Sequence, residues 1–275
     1  MTDERFALRR VECAHGEMAW REAGQGMALV LLHGIGSGSA SWVGQFEGLA
    51  ASLRVVAWDA PGYGASAPLA EPRPLARDYA RVLSEFLERL DIKELVLVGH
   101  SLGAIVAAAW AAQPTAALRA LVLASPARGY ALAPAAERDA KYRERLEMVE
   151  RLGIEGMAAQ RSAALCAPGA APATIELVRS NMARATPGGY GQAAHMLAHD
   201  DLLTHLRQVA APVAVMCGEH DAVTPLPACA QVASDIAAPF VTLRGAGHAC
   251  YVEDAGQFNT ALLSCLNTAR GALHV

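Results

Sequence analysis

The sequence predicts an α/β fold, a mostly parallel sheet covered by helices on both faces and interrupted by a helical insertion. Three observations carry this. Over the first half, short apolar runs of β character alternate with longer helical stretches, the rhythm of parallel strands joined by crossover helices. From about residue 127 to about residue 208 no β-like run occurs. At Ala211-Pro212 the alternation of strand and helix restarts.

Taken in order, Met18–Glu22, Met27–Leu32 and Val55–Trp58 read as the first strands, followed by a helix over Arg77–Leu90. Leu95–Val98 is a short buried strand, Leu102–Gln113 an alanine-rich helix, and Leu121–Leu123 the next strand. Pro134, Gly153, Pro168, Pro172 and Pro187-Gly188-Gly189 punctuate the segment that follows. Within it, Ala135–Leu152 is rich in charge and places Tyr142, Leu146, Val149 and Leu152 at helical spacing, which predicts an amphipathic helix. Val213–Met216 and Phe240–Leu243 are the last strands, and a helix is expected over Gly256–Ala269. The chain therefore divides into a core of residues 1–126 and 209–275 and a helical cap of residues 127–208. Neither an internal repeat nor a low-complexity linker is present.

At 275 residues, 53% hydrophobic and 18% charged, the chain can bury a large core, and its composition argues against disorder. A net charge of −4 without a basic run offers no electrostatic footprint for nucleic acid. The expected partner is a small molecule, neutral or anionic. Met1-Thr2-Asp3-Glu4-Arg5 is polar, no apolar run behind it makes a signal peptide, and no segment is long enough to span a bilayer. A cytoplasmic protein without a membrane partner is expected. Six scattered cysteines with no C-x-x-C pair read as reduced thiols, not as a zinc site or disulfide framework.

The most informative motif is Gly99-His100-Ser101-Leu102-Gly103, set between a buried strand and an alanine-rich helix. Such a strand, turn and helix hold the serine at a strained position with Oγ outward, while the glycines let strand and helix pack closely. A serine hydroxyl is a poor nucleophile without a base. Asp221, in Cys217-Gly218-Glu219-His220-Asp221, and His248, in Gly245-Ala246-Gly247-His248, each lie just beyond a predicted parallel strand. Loops at the C-terminal ends of parallel strands converge, so the three side chains are expected at one point. There His248 would take the Ser101 proton and Asp221 would orient the imidazole. The glycine-rich His33-Gly34-Ile35-Gly36-Ser37-Gly38 also follows a strand, and its backbone N–H groups can face an anion. No Lys-Ser or Lys-Thr follows it, and no complete G-x-G-x-x-G is present at Gly34 or Gly62, which argues against a phosphate cradle.

These motifs, with Trp58-Asp59-Ala60-Pro61-Gly62-Tyr63-Gly64-Ala65-Ser66 after the third strand, make the chain resemble the α/β-hydrolase superfamily over nearly its whole length. The resemblance implies an eight-stranded sheet, a Ser101–Asp221–His248 triad, an oxyanion hole formed by the backbone N–H groups of Ile35 and Leu102, and no cofactor. Length and the segment before Asp221 are similar to enol-lactone hydrolases and to the C–C hydrolases of meta-cleavage products. His100 and Ala249 stand where the latter carry Asn and Trp. Cleavage of an ester or lactone of a small organic acid through an acyl-enzyme is the expected activity; C–C bond hydrolysis is the alternative enzyme. A non-catalytic small-molecule receptor is the alternative of another class, since fold alone does not imply catalysis. A homodimer is an expectation at superfamily level only.

Other polar residues have plainer readings. Ser101 as a helix cap, His248 as a surface-loop residue and Asp221 as a cap for the helix after Pro225 are the plain alternatives for the triad itself. Asp59, before Pro61-Gly62, reads as a turn former. His33 reads as a loop-ordering residue, and His100 as packing beneath the serine turn. His195 and His199, with Asp200, Asp201 and His205, have metal-compatible spacing but no H-E-x-x-H register, so no metal is expected. The cap decides specificity. Met157, Leu165, Met182, Met196 and Leu197 give it an apolar lining, and Arg161 and Arg184 are its candidates to pair with a substrate carboxylate.

Overall fold

The structure, a computed structural model, describes residues 6–114 and 117–272, with side chains through residue 266. It opens with a hairpin of β1 (Arg9–Cys13) and β2 (Gly16–Ala23), continues into β3 (Ala28–Leu32), a 3₁₀ turn at Ser39–Trp42 and α1 (Val43–Leu49), then β4 (Arg54–Trp58) and α2 (Ala76–Arg89). After these come β5 (Leu95–His100), α3 (Leu102–Ala111) and β6 (Leu118–Ala124). The strands form one eight-stranded sheet with β7 (Val213–Gly218) and β8 (Phe240–Leu243), in the order β1-β2-β4-β3-β5-β6-β7-β8. β2 runs antiparallel to both β1 and β4, while the pairings of β4, β3 and β5 through β8 are parallel.

The sheet explains why its central strands read as unbroken apolar runs. In β3, Leu29 and Leu31 face one core with Trp42, Phe46, Phe258 and Leu262, while Val30 and Leu32 face the other with Leu83, Phe86 and Ile105. Both faces are covered, so every position is buried. The strand missing from the sequence reading is β1. Its residues, Arg-Arg-Val-Glu-Cys, are mostly exposed at the sheet edge, where apolar residues are not required.

From β6 to β7 the described residues form helices: α4 (Ala135–Arg161), a 3₁₀ turn at Ala163–Leu165, α5 (Pro172–Met182), α6 (Pro187–His199) and α7 (Leu202–Leu206). The amphipathic helix predicted to stop at Leu152 instead runs to Arg161, broken at Gly153, whose φ of 67° and ψ of 174° are not helical. Glycine tolerates that conformation, so the break redirects the helix without ending it. The segment is tied to the loop after β4: Thr186 Oγ1 donates to the Gly62 carbonyl at 2.8 Å, and Gln192 Nε2 donates to the Leu69 carbonyl at 2.7 Å. The remaining helices are α8 (Leu226–Asp235), α9 (Cys250–Glu253) and α10 (Ala255–Ala272). All six cysteines are free, and among the described residues no helix is long and apolar enough to cross a membrane.

Candidate active site

Because β3, β5, β7 and β8 are parallel neighbours or near neighbours, their C-terminal ends deliver the glycine-rich loop, Ser101, Asp221 and His248 to one edge of the sheet. Ser101 sits between β5 and α3 with φ 52° and ψ −116°, a conformation unfavourable for a residue with a side chain. Its own N–H donates to the Ala124 carbonyl, and its carbonyl accepts from Ala104 and Ala127. These bonds hold the strained turn. The flanking glycines are sterically required: a Cβ on Gly99 would lie 2.6 Å from Ala104 Cα, and one on Gly103 would lie 2.5 Å from the Leu32 carbonyl oxygen.

Asp221 is the most fully bonded group in the site. Oδ1 accepts from the N–H groups of Val223 and Thr224, both at 2.8 Å; Oδ2 accepts from Thr224 Oγ1 at 2.8 Å and faces His248 Nδ1 at 2.9 Å. Burial works to raise this carboxyl, but the hydrogen bond and charge of His248, with the Thr224 N–H, outweigh it and hold Asp221 well below the usual carboxylate range. With Nδ1 engaged, Nε2 of His248 is left without a partner among the described hydrogen bonds. Thr224 is a site residue the sequence reading missed. Three residues beyond Asp221 its hydroxyl carries no pattern of its own.

His100 lies beneath this pair, as expected. Its Nε2 donates to the His248 carbonyl at 2.8 Å, and its ring packs 4.8 Å from those of both His248 and Tyr251. Burial, then the neighbouring His248, push its pKa down to about 3, so it is a neutral support for the backbone of His248. Glu253 supports the same loop from the other side, accepting from Gly247 N at 2.9 Å and from Ala167 N at 2.7 Å. It thereby links the His248 loop to the helical segment.

The glycine-rich loop crosses directly over Ser101. A Cβ on Gly34 would lie 2.9 Å from Ser101 Cβ and 3.4 Å from its Oγ. His33 orders the loop through both nitrogens, Nε2 accepting from Ala60 N at 3.0 Å and Nδ1 donating to the Gly34 carbonyl at 2.8 Å. Tyr63 donates to the Ile35 carbonyl at 2.8 Å, while Tyr251 bridges Ser37 and Ser41. Among the described hydrogen bonds, none uses the N–H of Ile35 or of Leu102. Asp59, expected to form its own turn, bonds across loops instead: its Oδ1 accepts from Ser39 N at 2.7 Å and ties down the end of the glycine-rich loop.

A cavity of about 350 Å³ opens above Ser101 and His248, lined on its far side by residues of the helical segment that include Arg161, Leu165, Met182 and Leu197. Arg184 is not among its lining residues; its carbonyl accepts from Gly64 N beside the Tyr63–Ala185 bridge, so the chain path turns it to the core junction instead of the cavity. Arg128 and Arg145, which the sequence reading did not single out, do line it. The histidines of α6 are occupied structurally: His195 Nδ1 donates to the Pro74 carbonyl, His199 Nδ1 to the His195 carbonyl, and Asp200 joins His205 Nε2 at 2.6 Å to Ala76 N at 2.7 Å. Among the described residues no group of three His, Cys, Asp or Glu could hold a metal ion.

Comparison with known proteins fits this arrangement. An uncharacterized protein of Mycobacterium tuberculosis, Rv2715, is 41% identical over 113 residues, 40% of this chain, but the match spans only 33% of that protein's length. Pimeloyl-[acyl-carrier protein] methyl ester esterase of Vibrio vulnificus is 28% identical over 262 residues, covering 90% of this chain and 97% of its own. A thermophilic esterase from Thermogutta terrifontis, solved with malate bound, superposes with a TM-score of 0.84 at 27% identity, over 95% of this chain and 99% of that one. The sequence model of the Alpha/beta hydrolase family matches residues 29–261, most of the chain. With that match over most of its length, and with the strained turn at Ser101 and the eight-stranded sheet in place, the chain belongs to the α/β-hydrolase family.

Proposed function

We propose that this α/β-hydrolase of the esterase or lactonase type cleaves a carboxylic ester or lactone of a small organic acid through a Ser101 acyl-enzyme. The observation that carries the reading is the 2.9 Å contact of His248 Nδ1 with Asp221 Oδ2, beside a Ser101 held at positive φ over the same cavity. Ser101 Oγ attacks the carbonyl carbon as His248 Nε2 takes its proton, and the new oxyanion accepts from the N–H groups of Ile35 and Leu102. His248 returns the proton to the departing alkoxide. Water, deprotonated by the same imidazole, then releases the acid and restores Ser101.

The cavity suits a small acid, and residues 127–208 act in this reading as the cap that roofs it. By name, the Vibrio and Thermogutta proteins are esterases, which supports the ester bond as the target. The test is turnover of short p-nitrophenyl esters and an enol-lactone by wild type and Ser101→Ala. A burst of p-nitrophenol followed by slower steady release, abolished with Ser101, is the expected result. Equal turnover by the variant would remove Ser101 from the mechanism.

A further inference from the structure

The cavity above Ser101 is cationic in a chain that is acidic overall. Arg128, Arg145 and Arg161 line it, and no Asp or Glu does, although Asp and Glu outnumber Lys and Arg in the sequence, 27 to 23. Arg128 is balanced by Asp201, whose Oδ1 lies 3.7 Å from its Nε. Arg145 and Arg161 are half-buried, and among the described ion pairs neither has a carboxylate partner. The lining around them is otherwise mostly apolar, including Leu165, Val178 and Leu197. Half-buried guanidinium groups in such a lining gain strongly from a carboxylate that arrives with its ligand.

The backbone brings these two side chains together. They stand sixteen positions apart on α4, roughly 24 Å along a straight helix, yet both reach one small cavity. The break at Gly153, between them, makes that possible. Nothing lies within 4 Å of where a Cβ on Gly153 would be, so the glycine serves conformation and not space. Arg145 is also fixed in place: Nη1 donates to the Lys141 carbonyl at 2.8 Å, and the guanidinium carbon lies 5.7 Å from the centroid of the Tyr130 ring. Tyr190 lines the same cavity; burial raises its hydroxyl, and the charges of Arg145 and Arg161 both pull it back.

We propose that the cavity selects substrates with a second, ionised carboxylate remote from the scissile carbonyl, held by Arg145 and Arg161 while the carbonyl lies over Ser101. The substrate class is then the mono-ester, or the carboxylated lactone, of a dicarboxylic acid. This rests on the Ser101 hydrolase reading and narrows it.

The test compares kcat/KM for the monomethyl esters of succinate, glutarate and adipate with the neutral dimethyl esters of the same acids. Wild type, Arg145→Gln, Arg161→Gln and Arg143→Gln are assayed, and binding of the monoesters to Ser101→Ala, with and without Arg145→Gln, is measured by calorimetry. Wild type should favour at least one monoanion about 10-fold or more. Each cavity variant should cut that preference about 10- to 100-fold, mainly through KM. Arg143, exposed on the same helix, should leave it unchanged. Binding to Ser101→Ala should weaken by a similar factor when Arg145 is replaced. Hydrolysis of the diesters through Ser101 without monoanion preference, a preference indifferent to both arginines, or no binding of any monoanion to Ser101→Ala would overturn the anion site and leave the hydrolase reading standing. Arginine-dependent binding in a protein that turns over no ester would do the reverse.

Discussion

The floor and the roof of the cavity are built on opposite principles. At the floor, main-chain bonds hold Ser101, while Asp221 accepts from two backbone N–H groups and a hydroxyl besides facing His248. At the roof, Arg145 and Arg161 come from a broken helix, and their guanidinium groups have no carboxylate among the described ion pairs. In the proposed reaction, a floor fixed by backbone geometry can run the same chemistry on many acids. A roof that differs by side chains alone can choose among them.

The contrast is broken most severely at Ser101. Ser101→Ala should lower ester turnover by about 10⁴-fold or more while circular dichroism and melting temperature stay near wild type; retained turnover would dissolve the distinction between floor and roof. Gly103→Ala attacks the floor through packing. The added methyl meets the Leu32 carbonyl oxygen at 2.5 Å, and a loss of about 3 kcal/mol is expected in urea unfolding. Thr224→Val removes the hydroxyl from Asp221 but keeps both N–H donors, and kcat should fall about 10-fold with KM little changed, a loss of about 1.4 kcal/mol in charge-assisted bonding.

The pH dependence of stability sharpens the same comparison, because two groups of the floor are depressed, His100 by burial and then by the neighbouring His248, and Asp221 by the hydrogen bond and charge of His248 against the opposing effect of burial. His100 is neutral in the folded state down to about pH 3, whereas an unfolded histidine takes up a proton near pH 6.5. The unfolded state therefore binds more protons between these limits, and stability contributed by neutral His100 is full above pH 6.5 and lost as the pH falls toward 3. Asp221, also depressed, contributes stability that is present above the ordinary carboxylate range and lost on further acidification. Urea midpoints measured at pH 7.5 and pH 5 should fall for wild type and fall less for His100→Gln. The smallest effect is expected for Glu253→Gln, which keeps the side-chain shape and one accepting oxygen but loses one of the two bonds to backbone N–H groups, at about 1 kcal/mol.

What the sequence revealed followed the same division. Ser101 was legible because its strained turn demands glycines on both sides, and Asp221 and His248 because each follows an apolar strand. The central strands were legible because burial on both faces leaves unbroken aliphatic runs. The edge strand Arg9–Cys13 was not, since an exposed edge needs no such run. Thr224 and Glu253 act through hydrogen bonds to partners that no periodicity marks. Arg161 could be proposed for the cavity, but Arg145 was indistinguishable among the charges of its helix, and Arg184 looked equivalent until the chain path placed it elsewhere. The backbone break at Gly153, visible in sequence only as a glycine within a helical run, separates the helical stretches that carry Arg145 and Arg161.

The most direct test of the central claim is labelling with a fluorophosphonate, followed by intact and peptide mass spectrometry. The account predicts a single adduct on Ser101, absent from Ser101→Ala and strongly slowed in His248→Ala. A wild-type protein that hydrolyses esters yet carries no adduct on Ser101 would contradict it.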